Sequence, residues 1–136
     1  MSMSNATESD SLDWILKGTD PAWRAGATGY LALGAGSPDE ASPMAGELTY
    51  TGYARIAMTK ATAWSGSGAS RTNANLLQWG KRTDAGATQT ATHAIWCDTA
   101  SGAVGMALII PLDDNLDIAL NIRPQIEAGG LTVTAE

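Results

Sequence analysis

The spacing of apolar residues along the chain changes once, near residue 18. Before that point Leu12, Ile15 and Leu16 fall at i, i+3 and i+4, which places them on one face of a helix. The spacing predicts a helix over residues 9–17. Ser9 or Asp10 supplies the cap, and Asp13 early with Lys17 late agrees with the helix dipole. Gly18 stops it and Pro21 confirms the break. So short a helix is not stable alone in water, so its apolar face must dock on something.

Beyond residue 18 the period is two. Residues 28–33 read as a strand. Over residues 52–59, Tyr53, Arg55, Ala57 and Thr59 take one face and Ala54, Ile56 and Met58 the other. Residues 61–65 continue or bend that strand at Trp64, and 65–70 are a Gly/Ser-rich turn. Further strands are predicted over 73–79, 92–98, 105–110 (ended by Pro111), 117–122 and 131–134. Turns are expected at 100–102 and 113–115. Loops at 34–46 and 80–91 are long enough to make contacts. One short N-terminal helix with about eight short strands predicts an all-β fold, a β-sandwich of jelly-roll-like form. The expected organisation is a flexible arm at 1–10 and a single sandwich domain at 11–136.

Composition sharpens the core. The chain has 136 residues, enough for one domain. Ala (24), Gly (15), Thr (15) and Ser (10) make up 47% of it, whereas Leu, Ile and Val total 22 and Phe is absent. Such a chain would read as disordered if strongly charged, but its net charge is only −6. Five Trp, three Tyr and five Met supply the missing bulk, so the interior is expected to be small residues pinned by aromatic anchors.

Charge and chemistry then exclude classes. Eight Lys+Arg against fourteen Asp+Glu argue against nucleic acid as a partner. The apolar run at 107–112 is too short to cross a bilayer, so no membrane partner is expected. The polar start is no signal peptide. A lone Cys97 makes no internal disulfide, which fits assembly in a reducing cytoplasm. One His and one Cys do not build a zinc cage, and no cofactor or metal is expected. His93 and Cys97 share a strand face but sit about 13 Å apart along it at roughly 3.3 Å per residue. They read as a satisfied histidine and a small core residue. Asp113, Asp114 and Asp117 lack the calcium-loop framework. Asp39 and Glu40 beside Pro38 carry no support for a carboxylate-pair glycosidase. Residues 34–36 and Ser67 miss the dinucleotide and nucleophile-elbow spacings. No catalytic residue is assigned and no enzyme is expected. A carbohydrate-binding module or small hydrolase remains as a third reading, and needs an exposed Trp platform, with Trp64 and Trp79 as candidates, or a carboxylate pair.

The order of these pieces resembles a family of small tailed-bacteriophage virion proteins described as tail-fibre or minor structural proteins. The likeness runs over roughly residues 12–134. It rests on the short Leu-rich helix with Gly18-Thr19, Tyr30-Leu31-Ala32-Leu33, Gly52-Tyr53-Ala54-Arg55, Thr92-His93 leading to Asp98 and Ser101-Gly102, and Ala128-Gly129-Gly130-Leu131-Thr132-Val133. The resemblance implies a non-enzymatic β-sandwich component of the virion. Two roles follow. The first is a capsid decoration or cement protein that binds the major capsid protein and copies of itself as a homotrimer. The second is a tail or tail-fibre component that joins other tail proteins or binds a receptor. Tyr50, Tyr53, Trp64, Arg71 and Arg82 are the candidate interface residues, with the 1–10 arm as a docking segment.

Overall fold

Leu31, Ala32 and Leu33 are consecutive and all fully buried, so the strand that carries them is covered on both faces. A computed structural model describes residues 1–135. In chain order its elements are β1 (Ser2–Met3), α1 (Asn5–Lys17), a single 3-10 turn (Ala22–Arg24), β2 (Thr28–Gly34), β3 (Ile56–Thr59), α2 (Lys60–Ala63), β4 (Trp64–Ser65), β5 (Ser70–Asn73), β6 (Leu77–Gln78), β7 (Gln89–Cys97), β8 (Ala107–Ile118), β9 (Gln125–Ile126) and β10 (Thr132–Thr134). The all-β class holds. Five strands in the order β1-β8-β7-β2-β3 form the main antiparallel sheet, and β10-β5-β4 and β6-β9 form two small ones.

Register explains the core. Leu31 pairs with Trp96, Leu33 with Ala94, and Ala94 with Ile110, so these side chains share one face. Against that face pack Ala63, Leu77, Trp79 and Leu131 from the small sheets and their flanks. The opposite face carries Ala32, Ile95 and Ala107, covered by Met44 and Val104. Small residues here make room for large ones. A Cβ on Gly29 would lie 2.1 Å from the Trp96 ring, and one on Gly34 would lie 2.2 Å from His93 Nε2. Glycine beneath a bulky ring, Gly34 directly opposite His93 and Gly29 diagonal to Trp96, is thus how a Phe-free chain fits its Trp and His into the sheet.

Several boundaries differ from the sequence reading, among them the strands expected over 73–79, which splits between β5 and β6, and over 117–122, which ends with β8 at Ile118. The helix starts at Asn5, not residue 9, because Ser4 caps it by accepting from the Thr7 amide. Residues 1–10, expected as an arm, lie in β1 and the first turns of α1. Ser2 pairs with Ile109 and Met3 with Leu108. Pro111 does not end its strand, and 113–115 is not a turn. β8 runs on to Ile118, with Pro111 opposite His93 at a register shift, where a missing N–H is tolerated. Residues 52–55 are not strand. Gly52 has φ 103°, and the chain bends there before β3 begins at Ile56. Residues 60–63 turn as α2 rather than continuing β3.

Candidate functional site

Two buried arginines show how the fold uses its polar residues. Arg55 sits in the irregular stretch before β3 with its side chain 2% exposed. Its Nε and Nη2 donate to the two Glu47 carboxylate oxygens at 2.8 Å each. Its Nη1 and Nη2 also donate to the carbonyls of Thr99 and Gly102 at 2.8 Å. The Tyr53 hydroxyl donates to Glu47 at 3.0 Å and accepts from the Leu33 amide at 2.9 Å. Burial pushes the Tyr53 hydroxyl pKa well above its ordinary value, and the Glu47 hydrogen bond raises that of Arg55. The cluster ties the 47–55 segment to the 98–102 turn and to β2, so its role is to close loops.

Arg82 is the second such clasp. It donates to Asp84 Oδ2 at 2.6 Å and to the carbonyls of Ile118 and Ala87 at 2.7 and 2.8 Å. That pairing, aided by the Thr51 amide, holds the Asp84 carboxyl down to about 2. Tyr50 lies edge-on to Tyr53 and donates to the Gly80 carbonyl at 2.9 Å. Burial pushes its hydroxyl up to about 12.

The five expected interface residues therefore separate. Tyr50 and Arg82 are 3% and 1% exposed and satisfied inside the chain, so they offer nothing to a partner. Tyr53 is half-buried within the Glu47 cluster. Arg71 is exposed and bonds the carbonyls of Gly68 and Ser70. Trp64 is half-buried, its ring edge-on to Trp96 at 5.4 Å. Trp64, Arg71, Trp96, Leu108, Ile110 and Val133 line an open cavity of about 190 Å³. Trp79 cannot serve as a sugar platform. It is 2% exposed and its Nε1 donates to the Leu31 carbonyl.

The remaining candidates are internal or scattered. His93 is buried, its Nδ1 2.9 Å from Thr92 Oγ1, and burial lowers its pKa. Burial raises that of the Cys97 thiol, which leaves it unreactive. Asp113, Asp114 and Asp117 lie exposed along β8, where Asp117 accepts from Thr90. Among the described residues no group of three or more His, Cys, Asp or Glu is placed to hold a metal ion.

What the molecule presents outward is a helix face. Leu12, Ile15 and Leu16 of α1 are 57%, 71% and 75% exposed. The expected docking of that face is reversed. Ser4 and Thr7 are buried, and Thr7 Oγ1 accepts from the Ala107 amide at 2.9 Å. Asp10 accepts from Trp23 Nε1, also at 2.9 Å. Small hydroxyl side chains allow the close approach, and they are the signal in the sequence that an inward assignment of Leu12 overlooks.

None of the curated proteins compared matches this chain. The family model described as podophage GP4 fiber I protein gp80 matches residues 2–134, which takes in every strand and both helices. With almost its whole length matched, the chain belongs to the podophage GP4 fiber I protein gp80 family.

Proposed function

We propose that this protein is a structural component of a podophage tail fibre, where it builds the appendage by contact with other virion proteins. The coarser statement, a phage virion protein of a fibre family, follows from the family itself. The observation that carries the finer one is the extent of the match, residues 2–134, to a family described as a fibre protein. Buried arginines clamp the loops, and no buried side-chain nitrogen or oxygen among the described residues lacks a partner. No observation of similar weight supports decoration of the head shell, and the role is non-enzymatic. Immunogold labelling of intact virions with antibody against this chain tests the reading. Label confined to the tail region, at few copies per particle, is expected. Label spread over the head shell at hundreds of copies would overturn it.

A further inference from the structure

We infer that the groove over Trp96 and Leu108 holds an extended acidic peptide segment of another protein, with apolar side chains of that segment set in its two hollows. The inference rests on the groove alone and not on the fibre reading. Three observations carry it.

The first is shape. Beside the hollow of about 190 Å³ at Trp64, a second of about 340 Å³ opens beneath α1, walled by Met3, Trp23, Trp96, Met106 and Leu108. The two meet at Trp96 and Leu108, which line both. Met3, Trp23, Trp64, Leu108 and Val133 are only partly buried here, so the groove keeps apolar surface in water. Two adjoining apolar hollows suit successive inward side chains of an extended segment better than one compact ligand.

The second is that the groove is already formed. Its floor is the main sheet, where Trp96 of β7 and Leu108 of β8 are cross-strand partners. The Asp10–Trp23 bond and the Lys60 bond to the Trp23 carbonyl at 2.8 Å hold one wall, and the edge-on Trp64–Trp96 contact holds the other. Binding therefore orders little of this chain.

The third observation chooses the occupant. Arg24, Lys60 and Arg71 line the groove and no Asp or Glu does, in a chain with fourteen Asp+Glu against eight Lys+Arg. Carboxylates on the surrounding elements are engaged or turned away. Asp10 accepts from Trp23 Nε1, Asp13 pairs with Lys17, Asp20 pairs with Arg24, and Asp98 accepts from the Gly105 and Met106 amides. Glu8 lies on the outward face of α1, one turn before Leu12, and does not line the groove. Asp113, Asp114 and Asp117 lie further along β8, beyond Ile110. Among the described residues, Lys60 and Arg71 form no ion pair. Lys60 is half-buried and donates to one backbone carbonyl, and Arg71 donates to those of Gly68 and Ser70. Apolar walls with uncompensated cations at both hollows complement a segment that alternates apolar side chains with carboxylates.

Nuclear magnetic resonance titration of the isotope-labelled full chain tests this. The probe is a blocked pentapeptide alternating aspartate with tryptophan and leucine, and the control carries lysine in place of each aspartate. The acidic peptide should bind with a dissociation constant below about 1 mM. It should shift the indole signals of Trp64 and Trp96 while that of Trp79, held in the core by the Leu31 carbonyl, stays in place. The lysine peptide should bind at least tenfold more weakly. Lys60→Gln should weaken acidic binding at least threefold. Arg71→Glu, at an exposed position where folding is not at stake, should do the same and narrow the preference between the two peptides. No binding of the acidic peptide, equal binding of both peptides, shifts confined to residues outside the groove, or unchanged binding in both natively folded variants would each overturn the inference. Indole signals that move with chain concentration alone would give the groove to a second copy and overturn it as well.

Discussion

Arg55 shows why a charged residue in an apolar setting can be structural. Its guanidinium reaches Glu47 bidentately, the carbonyls of Thr99 and Gly102, and the Thr99 hydroxyl, so five donors are satisfied in one fork. Removing the arginine leaves those acceptors and the Tyr53–Glu47 pair without their partner. Arg55→Ala should therefore lower the unfolding free energy by about 3 kcal/mol, read from the urea midpoint. A loss below about 0.5 kcal/mol, as for a surface pair, would show that the clasp carries no stability. His93 gives a pH dependence of definite sign. Burial lowers its folded-state pKa below the ordinary 6.5, so the unfolded chain takes up a proton first as the solution is acidified. Stability from this group is complete above about pH 6.5 and is lost as pH falls through the lower folded value. The wild-type urea midpoint should thus fall between about pH 7 and about pH 5, and His93→Gln should flatten that window. An unchanged slope in the variant would assign the effect to another group.

At the scale of elements, α1 and β8 are the two that local pattern reads least well. Leu12, Ile15 and Leu16 mark a helix, yet its start is set by Ser4, whose hydroxyl holds the Thr7 amide and also lies 2.9 Å from Thr7 Oγ1. Ser4→Ala should cost about 1 kcal/mol and speed amide exchange in the first turn of α1 ahead of the sheet. Uniform exchange through α1 in both proteins would mean that the cap is not what orders it. In β8, Pro111 and the polar run 113–115 resemble breakers. Pairing with β7 up to Pro111 and again from Leu116 to Ile118 carries the strand through the register shift at 112–115, and Asp113, Asp114 and Asp117 stay exposed. The reverse holds at 52–55. Tyr53 and Arg55 alternate like strand residues but are drawn into the Glu47 cluster, and the apparent period two is an accident of their order.

At the scale of the whole molecule, contacts between residues far apart in the chain decide what is covered. Much of the fold was legible without coordinates, including the all-β class, the 28–33 strand, the core strands around Ile95 and Ile109, and the small-residue interior with aromatic anchors. These depend on period and side-chain volume, which are properties of neighbouring positions. Whether a polar or aromatic residue faces inward was not legible. Tyr50 and Arg82 read as surface contacts but are internal, and Leu12, Ile15 and Leu16 read as core but face solvent. That choice depends on partners far along the chain, such as Ile118 for Arg82 and Ala107 for Thr7. Local pattern determines which residues can share a face. Only the tertiary fold decides which face is covered, because burial and the satisfaction of buried polar groups are set by residues distant in sequence.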